Sequence, residues 1–378
     1  MKIAFDASTL FNFSGIDTYS RELITALVNS SPEVSIKLIT SENQLNLLSK
    51  RVSNYSNVEV LPMFPHKVFF GKPGRSLLKR KKSKILNVNS KDFDLIHQTN
   101  PFNTLGNITN LVTTVHDLIP IYDTHYVKPY LTKRYHEKLK LILKNSKAII
   151  VPTEFVKREL IEYNSLAASK TYVVHEAASN EFKPTPPDIE FFKKFGLVKG
   201  EKFFLYAGRI DARKNIGGLI QSYIDLPSFT QKEFKLVLIA SGDHRYLDNF
   251  PKIKEYGLEN RIIHINGVQQ DDLIKFFSSS YCFVMPSFAE GFGLPVLEAF
   301  QCGSPVISSN VTSIPEISGD AAILIDPFDR NQLTNAMNNI AEDNSLRISL
   351  IEKGFKQVSQ FSWAKAAIET LAIYKKVL

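Results

Sequence analysis

Two glutamates and a few basic residues carry the chemistry legible in this sequence. Glu290 and Glu298 stand eight residues apart, with Gly291-Phe292-Gly293-Leu294-Pro295 between them. A short apolar strand (282–285) runs into a loop at 286–293, and a helix is expected to start near Leu294 with Pro295 in its first turn, where a missing N–H costs nothing. Gly291 and Gly293 bracket Phe292, so the backbone can turn sharply and approach a ligand closely. The first N–H groups of that helix have no partner within it and carry the positive end of its dipole, which suits a phosphate. Glu290 on the loop and Glu298 inside the helix flank this position. Strand–glycine–helix turns also recur throughout α/β proteins, and glutamates beside a helix commonly face solvent. The turn alone therefore leaves a purely structural reading open.

A second cluster is Ala207 to Asn215, AGRIDARKN. Arg209, Arg213 and Lys214 fall just before a helix whose expected cap is Asn215. Cations at a helix N-terminus are unfavourable by roughly 0.3–1 kcal/mol each when exposed. Three of them there make sense around an anion; the alternative is a solvated basic turn. A third element, Val115-His116-Asp117, ends a strand in the first half of the chain, where a lone histidine serves either as a ligand-facing group or as a satisfied structural residue. Gly15 precedes an early helix, again a strand–loop–glycine–helix arrangement, or simple loop punctuation. Asp92-Phe93-Asp94 matches a metal-binding triplet in residue type, but it precedes its strand where such a triplet follows one, so a structural role is expected. The eight histidines are scattered without zinc-type spacing, and no metal site is expected. No pair of carboxylates is placed like those of a glycosidase.

These groups need a scaffold, and the hydrophobic pattern supplies one. Strands are expected at 2–6, 34–40, 58–62, 94–98, 111–117, 148–152 and 171–175. Helices are expected near 17–29, 43–51, 72–86, 129–145 and 153–163. The rhythm breaks at Glu176 to Pro187, EAASNEFKPTPP, the expected interdomain linker. A second series of strands follows at 203–208, 235–241, 261–265, 282–286, 305–309 and 322–326. Helices lie near 216–225, 245–256, 270–279, 294–302, 330–342 and 345–358, with a last one at 362–376. Alternation of this kind implies two mostly parallel sheets with right-handed crossovers. In such sheets ligands gather beyond the C-terminal ends of the strands, so two halves facing each other make a cleft.

The chain has 378 residues, 44% of them hydrophobic and 22% charged, enough for two domains with large cores. No apolar run approaches the ~18–20 residues of a membrane span. The start, MKIAFDAS, goes straight into a strand pattern, and no signal peptide is expected. Cys282 and Cys302 sit in apolar segments, consistent with a reducing cytosol and not with a disulfide scaffold. The formal net charge of +8 favours anionic partners. Part of that excess is local: residues 72–84, KPGRSLLKRKKSK, hold no acid and lie among Val68, Phe69, Phe70, Leu77, Leu78, Ile85 and Leu86. The stretch reads as a solvated face or as a patch for an anionic membrane surface. No nucleic-acid motif accompanies it, and no nucleic-acid partner is expected.

The Glu290-x7-Glu298 pair with Gly-Phe-Gly-Leu-Pro between resembles the signature of glycosyltransferase family 4, the retaining, nucleotide-sugar-dependent enzymes of the GT-B fold. The resemblance covers most of the chain and is specific in residues 203–218 and 283–326. It implies two Rossmann-like domains facing a cleft, an acceptor-side domain at 1–182 and a nucleotide-sugar domain at 188–360, with the helix at about 361–378 crossing back onto the first. By the same resemblance Arg209 and Lys214 grip the donor diphosphate, and Glu290 holds the donor sugar or steadies its anomeric carbon. Glu298 accepts hydrogen bonds from the ribose. Phe292, Gly293 and Leu294 offer backbone N–H groups, and Gly15 lets the first loop approach the diphosphate. VHDLIP resembles a segment of mannosyl- and rhamnosyl-type members, which puts His116, and more weakly Asp117, near the donor sugar. The sequence departs from the family in having one glycine in FNFSGIDTY, EAAS after TYVVH, and Ala240-Ser241 before Gly242.

The resulting expectation is a cytoplasmic hexosyltransferase, peripheral on the inner face of the membrane, that needs neither metal nor cofactor. It would move a hexose, GDP-mannose being the first donor choice, to a glycan or polyprenyl-linked acceptor in cell-surface polysaccharide synthesis. The alternatives are a non-catalytic nucleotide-sugar-binding relative, or an epimerase or phosphorylase on the same fold.

Overall fold

A computed structural model of the chain describes residues 1–8, 10, 15–40, 42–62, 85–86, 90–101, 104–105, 108–242 and 251–378. The basic stretch 72–84, most of the expected helix at 72–86, and the first part of the helix expected at 245–256 lie outside the described residues.

In chain order the strands are β1 (Lys2–Asp6), β2 (Ser35–Thr40), β3 (Val58–Pro62), β4 (Ile85–Leu86), β5 (Leu95–Gln98), β6 (Thr104–Leu105), β7 (Leu111–Thr114), β8 (Ser146–Val151), β9 (Thr171–Val173), β10 (Lys202–Arg209), β11 (Phe234–Ser241), β12 (Ile262–Ile265), β13 (Cys282–Met285), β14 (Val306–Ser309) and β15 (Ala322–Ile325). They form a seven-stranded sheet in the order β3-β2-β1-β5-β7-β8-β9, a six-stranded sheet in the order β12-β11-β10-β13-β14-β15, and a two-stranded ribbon, β4-β6. Every pairing is parallel: Ile3 of β1 lies opposite Ile36 and Leu95, and Phe204 of β10 opposite Leu236 and Cys282. Parallel strands are covered by helices on both faces, which is why their sequences read as near-continuous apolar runs. Ile3 to Phe5 of β1 and Phe203 to Tyr206 of β10 are wholly buried.

The chain order fixes where a ligand can sit. In the first sheet β1 lies between β2 and β5; in the second, β10 lies between β11 and β13. Each is a switch point of a doubly wound sheet, and a crevice opens beyond its C-terminal end. The charged core of the site discussed below lies at the ends of β7, β10 and β13, and its supporting residues follow other parallel strands of the two sheets.

The last helix, Trp363–Val377, follows the second sheet but belongs to the core of the first. Trp363, Ala367, Leu371 and Tyr374 recur at helical spacing and share one cluster with Phe5, Tyr19, Leu23 and Leu27. Ser362 caps the helix by accepting from the N–H of Lys365 (3.1 Å). The helix is fastened by a buried polar chain: Tyr374 Oη to His97 Nδ1 (2.6 Å), His97 Nε2 to Thr114 Oγ1 (2.8 Å), and Thr114 Oγ1 to Tyr19 Oη (2.8 Å). Burial, with a smaller push from His116, holds His97 down to about 3, so its ring is neutral and has one donor and one acceptor to place in that chain.

Some sequence expectations shift. Ile85–Leu86 is a strand, not the end of a helix, because it pairs with Thr104–Leu105. β7 stops at Thr114, so Val115-His116-Asp117 leave the sheet as a loop. Gly15 is the first residue of the helix Gly15–Ser30 and does not stand before it.

Candidate active site

The basic cluster is shaped by two side-chain caps. β10 ends at Arg209, which lies exposed and whose carbonyl accepts the Tyr206 hydroxyl (3.1 Å). Asp211 then caps a single tight turn, Ala212–Lys214, by accepting from Arg213 N (3.1 Å). Asn215 follows with φ 54°, a left-handed conformation that asparagine tolerates better than most residues. As expected, it caps the next helix, accepting from Gly218 N (3.2 Å), while its amide donates to Pro327 O (3.0 Å). A Cβ on residue 218 would lie 2.3 Å from Asn215 Oδ1, so this cap demands glycine there. Together the turns aim Arg213 and Lys214 at the loop after β13.

That loop is fastened to meet them. Phe288 N donates to Arg213 O (2.7 Å), and Glu290 N donates to Thr312 Oγ1 (3.1 Å). Thr312 holds φ 57°, an uncommon conformation for a β-branched residue, and the hydrogen bond to Glu290 is what that strained position delivers. Glu290 is 7% exposed. Its carboxylate pairs with Lys214 Nζ through Oε1, and Arg213 Nη1 lies 3.4 Å from Oε2 and 3.2 Å from Ala289 O. Burial pushes the Glu290 carboxyl up, but Lys214 and Arg213 together outweigh it and hold the group below its usual range. Burial likewise pushes Lys214 down, and the neighbouring Arg213 adds to this against the pull of Glu290. The result is a dry, preorganised ion cluster at the C-terminal ends of β10 and β13.

The glycine turn works differently from the expectation. A Cβ on Gly291 would stand 2.2 Å from the His116 carbonyl oxygen and 2.9 Å from Asp117 Cβ. Glycine is required at 291 because the first half of the chain packs against it. Gly293 has φ 106° and precedes the helix Leu294–Gln301 without a side-chain cap; a Cβ there would meet Ile314 Cδ1 at 2.7 Å. Phe292 turns into the core and packs edge-on against Phe361 (6.3 Å). Leu294 and Pro295 open the helix. Glu298 is half-buried one turn in, pushed up to about 7 by burial, with Arg21 of the first helix drawing it partly back. Gly15 has open space around its Cβ direction, leaving room for close approach.

From the first half, His116 has both ring nitrogens engaged. Nε2 donates to Thr99 O (2.9 Å), and Nδ1 lies 3.3 Å from Glu176 Oε1. Burial pulls its pKa down, but Glu176, Thr99 and Asp117 reverse this, and the net shift is upward, toward an imidazolium that donates at both nitrogens. Asp117 is pushed up by burial, and Arg213 across the cleft draws it back.

Other contacts close the seam. Thr153 Oγ1 meets Ser313 Oγ (2.9 Å), and Ser313 donates to Gly291 O (2.8 Å). Glu316 reaches across to accept from Glu154 N (2.9 Å) and Phe155 N (3.1 Å), a carboxylate at the N-terminus of the helix Glu154–Tyr163. Tyr126 stacks on Phe288 (5.5 Å, 7°), and Phe288 on Phe328 (4.8 Å).

The structure thus joins Lys214 to Glu290 and places His116 and Asp117 against their loop. Arg209 forms no ion pair among the described residues. Arg213 was read from sequence only as one of three cations suited to an anion, and Thr312 and Arg21 were not singled out. The adjacency of Arg213 to Lys214 was a usable signal for the first, whereas Thr312 and Arg21 come from distant segments with no spacing to mark them. Asp94 of the D-x-D triplet accepts from the backbone N of Lys2 (2.7 Å), and no cluster of three metal-binding side chains occurs among the described residues.

Both halves of the chain match known families. A family model described as glycosyl transferases group 1 matches residues 188–357, and one described as glycosyltransferase family 4 matches residues 13–179. O-antigen chain mannosyltransferase B of Escherichia coli is 31% identical over 392 residues, covering 99% of this chain and 100% of that protein. Among solved structures, sucrose-phosphate synthase from Thermosynechococcus elongatus superposes with a TM-score of 0.73 at 18% identity, covering 100% of this chain and 99% of that one. HepE of Anabaena, solved in complex with UDP and glucose, gives 0.71 at 18% identity and covers 100% of each chain. The architecture is the two-sheet GT-B fold.

The contact at Gly291 makes a direct test. In Gly291→Ala the added methyl has no room beside His116 O, so the halves must separate, at a cost of about 1–3 kcal/mol. Solution scattering is expected to show a larger radius of gyration with unchanged circular dichroism. An unchanged radius would contradict this packing.

Proposed function

The chain belongs to the glycosyltransferases, family 4 in its first half and group 1 in its second, and from that premise we propose that it transfers mannose from GDP-mannose to a growing cell-surface polysaccharide with retention at the anomeric carbon. The observation that carries the reading is the buried Lys214–Glu290 pair with Arg213 beside it, set at the switch point of the second sheet. The mannosyl assignment is supported by the full-length similarity to an O-antigen mannosyltransferase.

In this proposal Arg209 and Lys214 hold the donor diphosphate. Arg209 is exposed and free of ion pairs among the described residues, available to fork onto phosphate oxygens. The Lys214 ammonium has three donors and gives one to Glu290, keeping others for phosphate. As the bond from the anomeric carbon to the phosphate oxygen breaks, negative charge grows on the diphosphate, and fixed cations in a dry site lower that barrier. The acceptor oxygen bonds to the anomeric carbon on the face the phosphate leaves, and its proton passes to the departing phosphate oxygen. The cations would do the work of a metal, so neither metal nor cofactor is assigned. Glu290 faces the sugar. Phe292, Gly293 and Leu294 supply backbone N–H groups, Glu298 takes the ribose hydroxyls, and Gly15 admits the diphosphate to the first loop. His116, whose ring is fully engaged, braces the wall of the sugar pocket next to Asp117.

The acceptor is proposed to be polyprenyl-linked and presented at the inner membrane face, with residues 72–84 making the surface contact. No helix among the described residues is long and apolar enough to cross a membrane.

Transfer from GDP-mannose to a series of mannoside acceptors, followed by proton NMR of the product, tests the reading. An α-linked product formed equally well in EDTA is expected, with Glu290→Ala slowed by about 10²–10³-fold. An inverted product, or loss of activity in EDTA, would overturn it.

Glu298 adds a pH signature. In the free protein its carboxyl titrates near 7, and the ribose needs the ionised form as acceptor. Nucleotide-sugar affinity should therefore rise with pH through 7, by up to about tenfold per unit below it, and level off above. Glu298→Gln should flatten the profile; a parent profile already flat from pH 6 to 8 would refute the ribose role.

A further inference from the structure

A cavity of about 540 Å³ opens where three parts of the chain meet. Arg158 reaches it from the helix Glu154–Tyr163, His175 from the segment after β9, Glu316 from the helix Ile314–Ser318, and Gln357, Phe361 and Lys365 from the corner that leads into the last helix. Arg209, Lys214, Glu290 and Glu298 do not line it.

Its acids are already engaged. Glu316 accepts from Glu154 N and Phe155 N, and His175 Nε2 lies 3.0 Å from its Oε1. Glu154 lies 3.5 Å from Lys157. Its two permanent cations are not engaged in this way. Arg158 has only the Phe155 ring, 5.9 Å away, and Lys365 gives its backbone N–H to the Ser362 cap; neither forms an ion pair among the described residues. They approach from different helices, so the wall offers one occupant two cations that form no ion pair among the described residues, beside the carboxylates of Glu154 and Glu316. The remaining lining suits a hydroxylated ring. Phe361 stands edge-on to His175 (5.5 Å, 90°), and the Gln357 and Gln360 amides, joined by a 2.9 Å hydrogen bond, lie beside it. The volume is well beyond what a bare phosphate fills, and small-molecule sites commonly occupy about 300–1,000 Å³.

We propose that this cavity binds a soluble phosphorylated sugar, its phosphate between Arg158 and Lys365 and its ring against Phe361. The cavity adjoins the candidate active site through Thr312, which lines it and accepts from Glu290 N, but its cations are different ones and the assignment does not depend on the transferase reading. Because its walls come from helices of both sheets and from the returning last helix, an occupant holds the cleft in the arrangement described above.

Calorimetry on the full chain tests this with mannose 6-phosphate, inorganic phosphate and mannose as probes. The parent is expected to bind mannose 6-phosphate at least tenfold more tightly than inorganic phosphate, and not to bind mannose measurably. Arg158→Gln/Lys365→Gln, both exposed positions, should melt like the parent and lose at least tenfold in affinity. Saturating GDP or UDP should leave mannose 6-phosphate binding unchanged. No binding by the parent at millimolar concentration, or equal binding by the double variant, would overturn the site. Displacement by either nucleotide would move the ligand to the donor cleft, and equal affinity for inorganic phosphate would remove the sugar from the assignment.

Discussion

The structure turns on one expensive interaction, the buried ion pair of Lys214 with Glu290. Removing two such charges from water costs several kcal/mol per ion, and attraction repays this only when the geometry is good and the remaining donors and acceptors are met. The surrounding chain is arranged to that end. Asn215 in a left-handed conformation, with glycine obligatory at 218, sets the direction of Lys214. Thr312, also in a left-handed conformation, holds the backbone of Glu290, and Arg213 takes the second carboxylate oxygen. Two residues in sparsely populated backbone conformations within one site indicate that the fold gives up some local stability to fix these charges. A cluster preorganised in this way has its cations already desolvated, and under the proposed function that is the condition in which charge stabilisation of a diphosphate counts for most.

The same loop closes the cleft. Glu290 belongs to the ion cluster, and its neighbour Gly291 touches His116 O, so the geometry of the charges and the approach of the two halves are one constraint. Other seam contacts include the Thr153–Ser313–Gly291 relay, the Glu316 carboxylate on a helix N-terminus, and Tyr126 stacked on Phe288. Interdomain seams of this kind are weak enough to part and re-form during a catalytic cycle. The last helix is the opposite case. Trp363, Leu371 and Tyr374 are locked in the core of the first sheet.

Much of this was legible in the sequence because it is local. Strand periodicity marked β1, β10 and β13 to within a residue or two, Asn215 announced a cap by its type and place, and Pro295 announced a helix start. The family resemblance marked Glu290, Glu298, Arg209 and Lys214 by spacing. What stayed hidden depends on partners far away in the chain. The need for glycine at 291 comes from a carbonyl 175 positions earlier, and the Glu298 environment depends on Arg21. A histidine at a strand end reads as available until Thr99 and Glu176 are seen to occupy both its nitrogens. Ile85–Leu86 read as helical because two residues carry too little pattern to reveal a strand that exists through its pairing with Thr104–Leu105.

The central claim is that the Lys214 cluster is a metal-free diphosphate site. Calorimetric titration of GDP, UDP, ADP and dTDP in EDTA, on the parent and on Arg209→Ala/Lys214→Ala, addresses it most directly. One nucleotide bound well by the parent and at least a hundredfold more weakly by the double variant, equivalent to about 2.7 kcal/mol, is the predicted result. No nucleotide bound without a divalent cation, or equal binding by parent and variant, would contradict the account.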